Sequence, residues 1–145
     1  MSETTDPPTI TGANGNTGAV PSHVRHGRGA VRPYLHGPLT LPHFLQEVFG
    51  AVEVERVAFN PDSAHVQLQI GDATVVVEAG ALPAGVQGWT GSVYVYAADV
   101  DAAYQRAMAL GARSISPPQD KPYQERQAGF VDAAGNTWWV ATYKP

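Results

Sequence analysis

From Ala30 onward, apolar and polar positions fall into the same order twice. "AVRPYLHG" alternates with a period of two, as a strand does, and "LTLPHFLQEVFGA" then places Leu41, Phe44, Leu45 and Val48 at helical spacing, with Gly50 as the stop. Three strand-like runs follow, "VEVERVAF", "AHVQLQI" and "ATVVVEA", the last two separated by the tight turn Gly71-Asp72. The second copy opens with "SVYVYA" and continues into "DVDAAYQRAMALGA", a helix with Asp99 as its N-cap and Gly111 at its end. It closes with a short "RSIS", a loop holding three prolines, and the pair "AGFVD" and "TWWVATY" around "AAGN". The pattern predicts an α+β fold of two βαβββ repeats, residues 30–79 and 91–143, in one domain spanning 30–145.

A four-stranded sheet with a helix on one face leaves its other face open, so two copies can close as a curved mixed sheet around a cleft. Strand alternation then chooses the lining. The first strand sends Arg32, Tyr34 and His36 inward and Val31, Pro33 and Leu35 outward against a helix. The third sends His65, Gln67 and Gln69 inward, opposite the apolar set Ala64, Val66, Leu68 and Ile70. Ser92, Tyr94 and Tyr96 come from the fifth strand. In the last, Trp138 and Val140 suit the helix-packed side, which leaves Trp139, Ala141 and Tyr143 for the cleft. The bland readings are a solvated strand face for His65, Gln67 and Gln69, and ordinary strand-forming tyrosines at 94 and 96. What lifts the tyrosines above that is their alignment on one face with Trp139.

Residues 1–29 show neither period and are rich in Thr, Pro, Gly and Asn, which predicts a flexible tail. Its His23 and His26 would meet only on a helix, and Gly27 and Gly29 oppose one. The chain has no cysteine, which excludes disulfides, thiolate nucleophiles and Cys-ligated zinc. A net charge of -4 with scattered Lys and Arg offers no stripe for nucleic acid. With no basic leader followed by an apolar run and no span of membrane length, the expectation is a soluble cytoplasmic protein. There is no G-x-S-x-G elbow, no H-E-x-x-H and no phosphate-binding glycine loop. Ser92 with His36 or His65 would make a nucleophile and base, but no orienting acid is apparent.

The segments "RPYL", "VFGA", "IGDA", "ADVDAAYQRA", "PYQER" and "VDAAGNTWWVATY" occur in order over residues 30 to 143. In this the chain resembles the glyoxalase/bleomycin resistance protein/dioxygenase group, the vicinal oxygen chelate superfamily, and within it the PhnB-like branch. It departs from the branch pattern at Gln124, Glu125, Ala133 and Ala134. The resemblance implies the fold derived above, pairing as twofold homodimers, and, in the enzymes, a divalent metal held by His and Glu from the first and last strands of each repeat. Counted from the shared motifs, those positions are Arg32, Val75, Ser92 and Trp139, which is not a ligand set.

The reading is therefore a homodimeric, metal-independent protein without catalytic residues. It binds a small, partly aromatic molecule through Arg32, Tyr34, His36, His65, Gln67, Ser92, Tyr94, Tyr96, Trp139 and Tyr143 in a cleft nearly free of carboxylates. Glu125 and Arg126 are taken to form a local ion pair. Two alternatives stay open. One is a metal-dependent lyase, isomerase or dioxygenase of the same superfamily with its divalent ion displaced toward His65 and Glu78; the other is a dimeric interaction module without a ligand.

Overall fold

The computed structural model describes residues 22–145, so most of the expected tail, residues 1–21, lies outside the described residues. The chain divides into two compact units, residues 1–30 and 31–145. In the described part of the first, Arg25–Gly27 form a single 3-10 turn with His26 at φ 64°, too short to align two imidazoles on one face.

The second unit runs β1 (Tyr34–Gly37), α1 (Leu41–Phe49), β2 (Val52–Asn60), β3 (Ser63–Ile70), β4 (Ala73–Gly80), β5 (Ser92–Tyr96), α2 (Val100–Ala109), β6 (Arg113–Lys121), β7 (Glu125–Val131) and β8 (Thr137–Tyr143). The strands form two four-stranded sheets, ordered β1-β4-β3-β2 and β5-β8-β7-β6. In each, the first strand runs parallel to the last strand of its repeat and the other pairings are antiparallel. This is the α+β, twice-repeated βαβββ architecture.

Local chemistry sets the boundaries. Pro42 lies in the first turn of α1, where its missing N–H costs nothing, and Gly50 ends the helix at φ 67°. The Asp99 carboxylate caps α2 by accepting from the Ala102 amide at 3.0 Å. The proline-rich stretch after "RSIS" is strand rather than loop, since β6 continues to Lys121. Pro117 and Pro118 are tolerated because β6 is an edge strand with register shifts on either side of Ser116.

One apolar core serves both repeats. The helix-facing sides of the two sheets, with Leu35, Val66, Leu68 and Val77 from one and Ala128, Phe130, Trp138 and Val140 from the other, belong to a single cluster with α1 and α2. Phe44 and Phe49 of α1 reach across to the second sheet, with ring centroids 6.2 Å from Phe130 and 5.2 Å from Trp138 respectively. Two expectations are corrected. Val75 faces this core, opposite Leu68, so the cleft-side residues of β4 are Thr74, Val76 and Glu78. Val31 is 91% exposed and packs on no helix, since β1 begins only at Tyr34.

Among the described residues the outer edge of β1 has no neighbouring strand, and side chains cover two of its carbonyls. The Trp89 indole donates to Tyr34 O at 2.8 Å, and Asn136 Nδ2 donates to His36 O at 3.2 Å. Among the described residues no helix is long and apolar enough to cross a membrane.

Candidate functional site

Each sheet turns one side to the core, and its other side collects the polar and aromatic residues. On the first sheet His36 and His65 flank Glu78 in register across β1, β4 and β3, while Tyr34 and Gln67 flank Val76. Tyr34 Oη and His65 Nδ1 both donate to Glu78 Oε2, at 2.9 and 2.6 Å. Arg32 Nη1 donates to Gln67 Oε1. Trp89 covers the end of this patch, its ring 4.9 Å from Tyr34 and 5.3 Å from His36. Partial burial, and then the hydrogen bond to the Glu78 carboxylate, push the Tyr34 phenol up from its ordinary pKa.

On the second sheet Tyr94 and Tyr96 of β5 reach across β8 to Glu125 on β7. Tyr94 donates to one carboxylate oxygen and Tyr96 to the other. The strand they cross presents Ala141, in register with Tyr96 and Gln127, whose small side chain leaves room for the phenols. Gln127 Nε2 donates to the hydroxyls of Tyr94 and Tyr123 at 3.0 and 3.1 Å. The hydrogen bonds from Tyr94 and Tyr96 hold Glu125 below the usual carboxylate range. In turn Tyr96 is pushed up to about 12, first by its bond to Glu125, and Tyr94 is raised by partial burial and then by the same carboxylate. Trp139 stands between Tyr94 and Gly129 in register, and Tyr143 stands opposite Glu125.

The ten residues singled out from sequence thus fall into two groups of five. Arg32, Tyr34, His36, His65 and Gln67 belong to the first patch, and Ser92, Tyr94, Tyr96, Trp139 and Tyr143 to the strands of the second. Among the described residues the side-chain bonds between the tyrosines, glutamates and glutamines of each group stay on their own sheet. Tyr34, Tyr96 and Tyr143 are each more than half exposed, as on an open surface. Ser92 is not assembled with a base: His36 Nε2 is directed at Gly80 O and His65 at Glu78.

Two further expectations are corrected. The patches are not nearly free of carboxylates, since Glu78 and Glu125 anchor them. Glu125 and Arg126 do not pair with each other; alternation along β7 sends Arg126 to the helix side, where it bridges Asp101 at 2.9 Å and Asp120 at 3.2 Å. Sequence reasoning also missed Trp89 and Gln127. For Gln127 the signal was available, as it shares parity with Glu125; Trp89 sits in an aperiodic connection.

A divalent metal does not fit these residues. The cleft-side side chains nearest the expected positions are a guanidinium, a lone hydroxyl and an indole, which do not make a ligand set. Among the described residues no three of His, Asp or Glu come together as a ligand group.

Comparison with known proteins agrees with this architecture. The family model described as Glyoxalase/Bleomycin resistance protein/Dioxygenase superfamily matches residues 42–140. An uncharacterized protein of Mycobacterium bovis is 28% identical over 106 residues, 66% of this chain and 69% of that one. The crystal structure of TioX from Micromonospora sp. ML1 is similar with a TM-score of 0.61 and 25% identity, covering 79% of this chain and 99% of TioX. The fosfomycin resistance protein FosX of Mesorhizobium loti shares the fold, with a TM-score of 0.55 and 24% identity over 79% of this chain and 90% of its own.

Proposed function

The chain belongs to the glyoxalase/bleomycin resistance protein/dioxygenase superfamily, and from that premise we propose that it is a metal-independent binding protein for a small, partly aromatic molecule. The "PYL", "IGD" and "DVDA" segments support its assignment to the PhnB-like branch. The observation that carries the reading is the pair of aromatic, hydrogen-bonded patches, one on each sheet, both turned away from the core. Stacking on Tyr34 and Trp89 from one side and on Tyr94, Tyr96, Trp139 and Tyr143 from the other suits a planar ligand, with Arg32, His65 and Gln67 to orient its polar groups.

One patch alone is half a wall. A pocket that buries most of a small ligand needs a second wall, and within the chain the helix-packed core separates the two patches. A twofold homodimer meets that need if the first sheet of one protomer confronts the second sheet of its partner, giving two equivalent clefts. Such an arrangement also covers apolar side chains that a lone chain leaves in water, among them Val57 at 43% and Tyr96 at 62% exposure.

Mixed dimers test this. Tyr34→Ala damages only the first patch and Trp139→Ala only the second. A heterodimer of the two, isolated through two different tags, holds one cleft with both walls intact and one with both damaged. It binds methylnaphthalene or N-methylquinolinium at half the wild-type stoichiometry, while each parental homodimer binds neither well. A cleft built within one chain gives no recovery in the mixed dimer. A stable dimer that binds neither probe in the wild type would instead mark an interaction module.

A further inference from the structure

We infer that the second patch is a receptor for a cationic nitrogen, so that the ligand is a planar aromatic cation. This deepens the binding function proposed above and rests on it. Three observations lead there.

The first is the geometry around Glu125. Each of its carboxylate oxygens accepts one phenol, from Tyr94 and Tyr96. An ionised carboxylate offers about four acceptor positions, so half of its capacity stays available in a group that two donors already hold still. The tyrosine rings stand at 69° to each other with centroids 5.6 Å apart, and Tyr143 stands opposite Glu125 across the strands. Aromatic faces beside an anion attract a cation twice, through the charge and through the ring quadrupole.

The second is the charge balance. Two cations of this sheet are spent elsewhere: Arg126 pairs with Asp101 and Asp120, and Lys144 pairs with Asp120. Lys121 stands opposite Glu125 in the β6–β7 register, yet among the described residues no ion pair reaches the Glu125 carboxylate. In the wall of the proposed cleft a neutral ligand would cover that carboxylate with, among the described residues, only two phenols bonded to it, which is costly. A cation removes the cost.

The third is the turn that delivers Glu125. Gln124 adopts φ 63°, a left-handed conformation that side chains other than glycine and asparagine rarely take, and its carbonyl is held by the Lys144 amide at 2.8 Å. Backbone strain kept in place next to an exposed carboxylate fits a position held for binding.

The test compares N-methylquinolinium, a permanent cation, with methylnaphthalene, its uncharged isostere, by titration calorimetry on the full-length protein. Wild type is expected to favour the cation about five- to tenfold, as for an exposed carboxylate with aromatic neighbours. Glu125→Gln, which keeps the side-chain shape and one of the two phenol acceptors but removes the charge, should abolish that preference by weakening the cation more than methylnaphthalene. An unchanged melting temperature verifies that the variant is folded. Tyr96→Phe keeps the ring but frees the carboxylate, and should reduce the preference only in part. Equal affinity for both probes in wild type, or a preference that survives Glu125→Gln, overturns the cation receptor while the binding function stands. If neither probe binds wild type, the binding function falls and the inference with it.

Discussion

The indole of Trp139 lies over the backbone of Gly129. The two residues are partners in the β7–β8 register, and a Cβ built on Gly129 would fall 2.4 Å from Cζ3 and 2.6 Å from Cε3 of the ring. Glycine at this position therefore sets the tilt of the tryptophan.

Gly129→Ala should lift the ring from its bed. Because the obstacle is a rigid indole rather than the far end of a flexible side chain, the clash costs about 1 to 3 kcal/mol. Thermal melting measures the loss, and the same variant should weaken planar probes as much as Trp139→Ala does. Undiminished probe affinity would show that the ring's seat on Gly129 is irrelevant to binding.

The adjacent tryptophans should respond in opposite ways to truncation. Trp138 is fully buried and donates its indole N–H to Asp132 at 2.8 Å, so Trp138→Ala should cost about 3 to 5 kcal/mol, read by chemical denaturation. Trp139→Ala should cost much less stability and about 1 kcal/mol or more of affinity for a stacking probe. A reversed outcome would mean that solvent-side stacking is not what Trp139 contributes.

Titration of the phenols gives a pH prediction with a definite sign. Tyr96 is pushed up to about 12 because its proton is held by Glu125. A folded pKa above the unfolded one, about 10, means that this contribution to stability is intact below the unfolded value and is lost as the pH rises through the folded one. Glu125 is shifted the other way, so its contribution is intact at neutral pH and disappears as the pH falls through its depressed folded pKa. Ultraviolet difference spectra should show late-ionising tyrosines in the wild type, and Glu125→Gln should bring the titration of Tyr96 down toward the ordinary range.

Asp132 organises the β7–β8 turn by accepting from the Ala134 and Asn136 amides, the Asn136 side chain and the Trp138 indole. Asp132→Ala should leave several buried donors unsatisfied at about 1 to 3 kcal/mol each before relaxation. Denaturant midpoints check this. A loss under about 1 kcal/mol would show that water replaces the carboxylate.

The repeat, its helices and the parity of β3 and β8 were legible because their patterns are unambiguous. His65, Gln67 and Gln69 alternate with buried Ala64, Val66 and Leu68, and a period of two admits one assignment. Three consecutive valines in β4 carry no such alternation, and only pairing with Leu68 shows that Val75 belongs to the core. Adjacency in sequence suggested a Glu125–Arg126 pair, whereas a strand places neighbours on opposite faces. The separation of the candidate site into two patches depends on Phe44 and Phe49 packing against Phe130 and Trp138. Such a contact between distant segments leaves no mark in either segment's periodicity.

Asn136 is fully buried and joins two strand beginnings and ends at once. It accepts from the Gly91 amide at 2.9 Å, just before β5, and donates to His36 O near the end of β1. The bond to Gly91 lies within the second repeat, whereas the bond to His36 O crosses to the first, so parting the two repeats must break it and leave a buried amide and a carbonyl without their partner, on the order of 1 to 3 kcal/mol. Asn136 thereby ties the last hairpin of the chain to its first strand, and the two halves of one chain separate only with the loss of that bond.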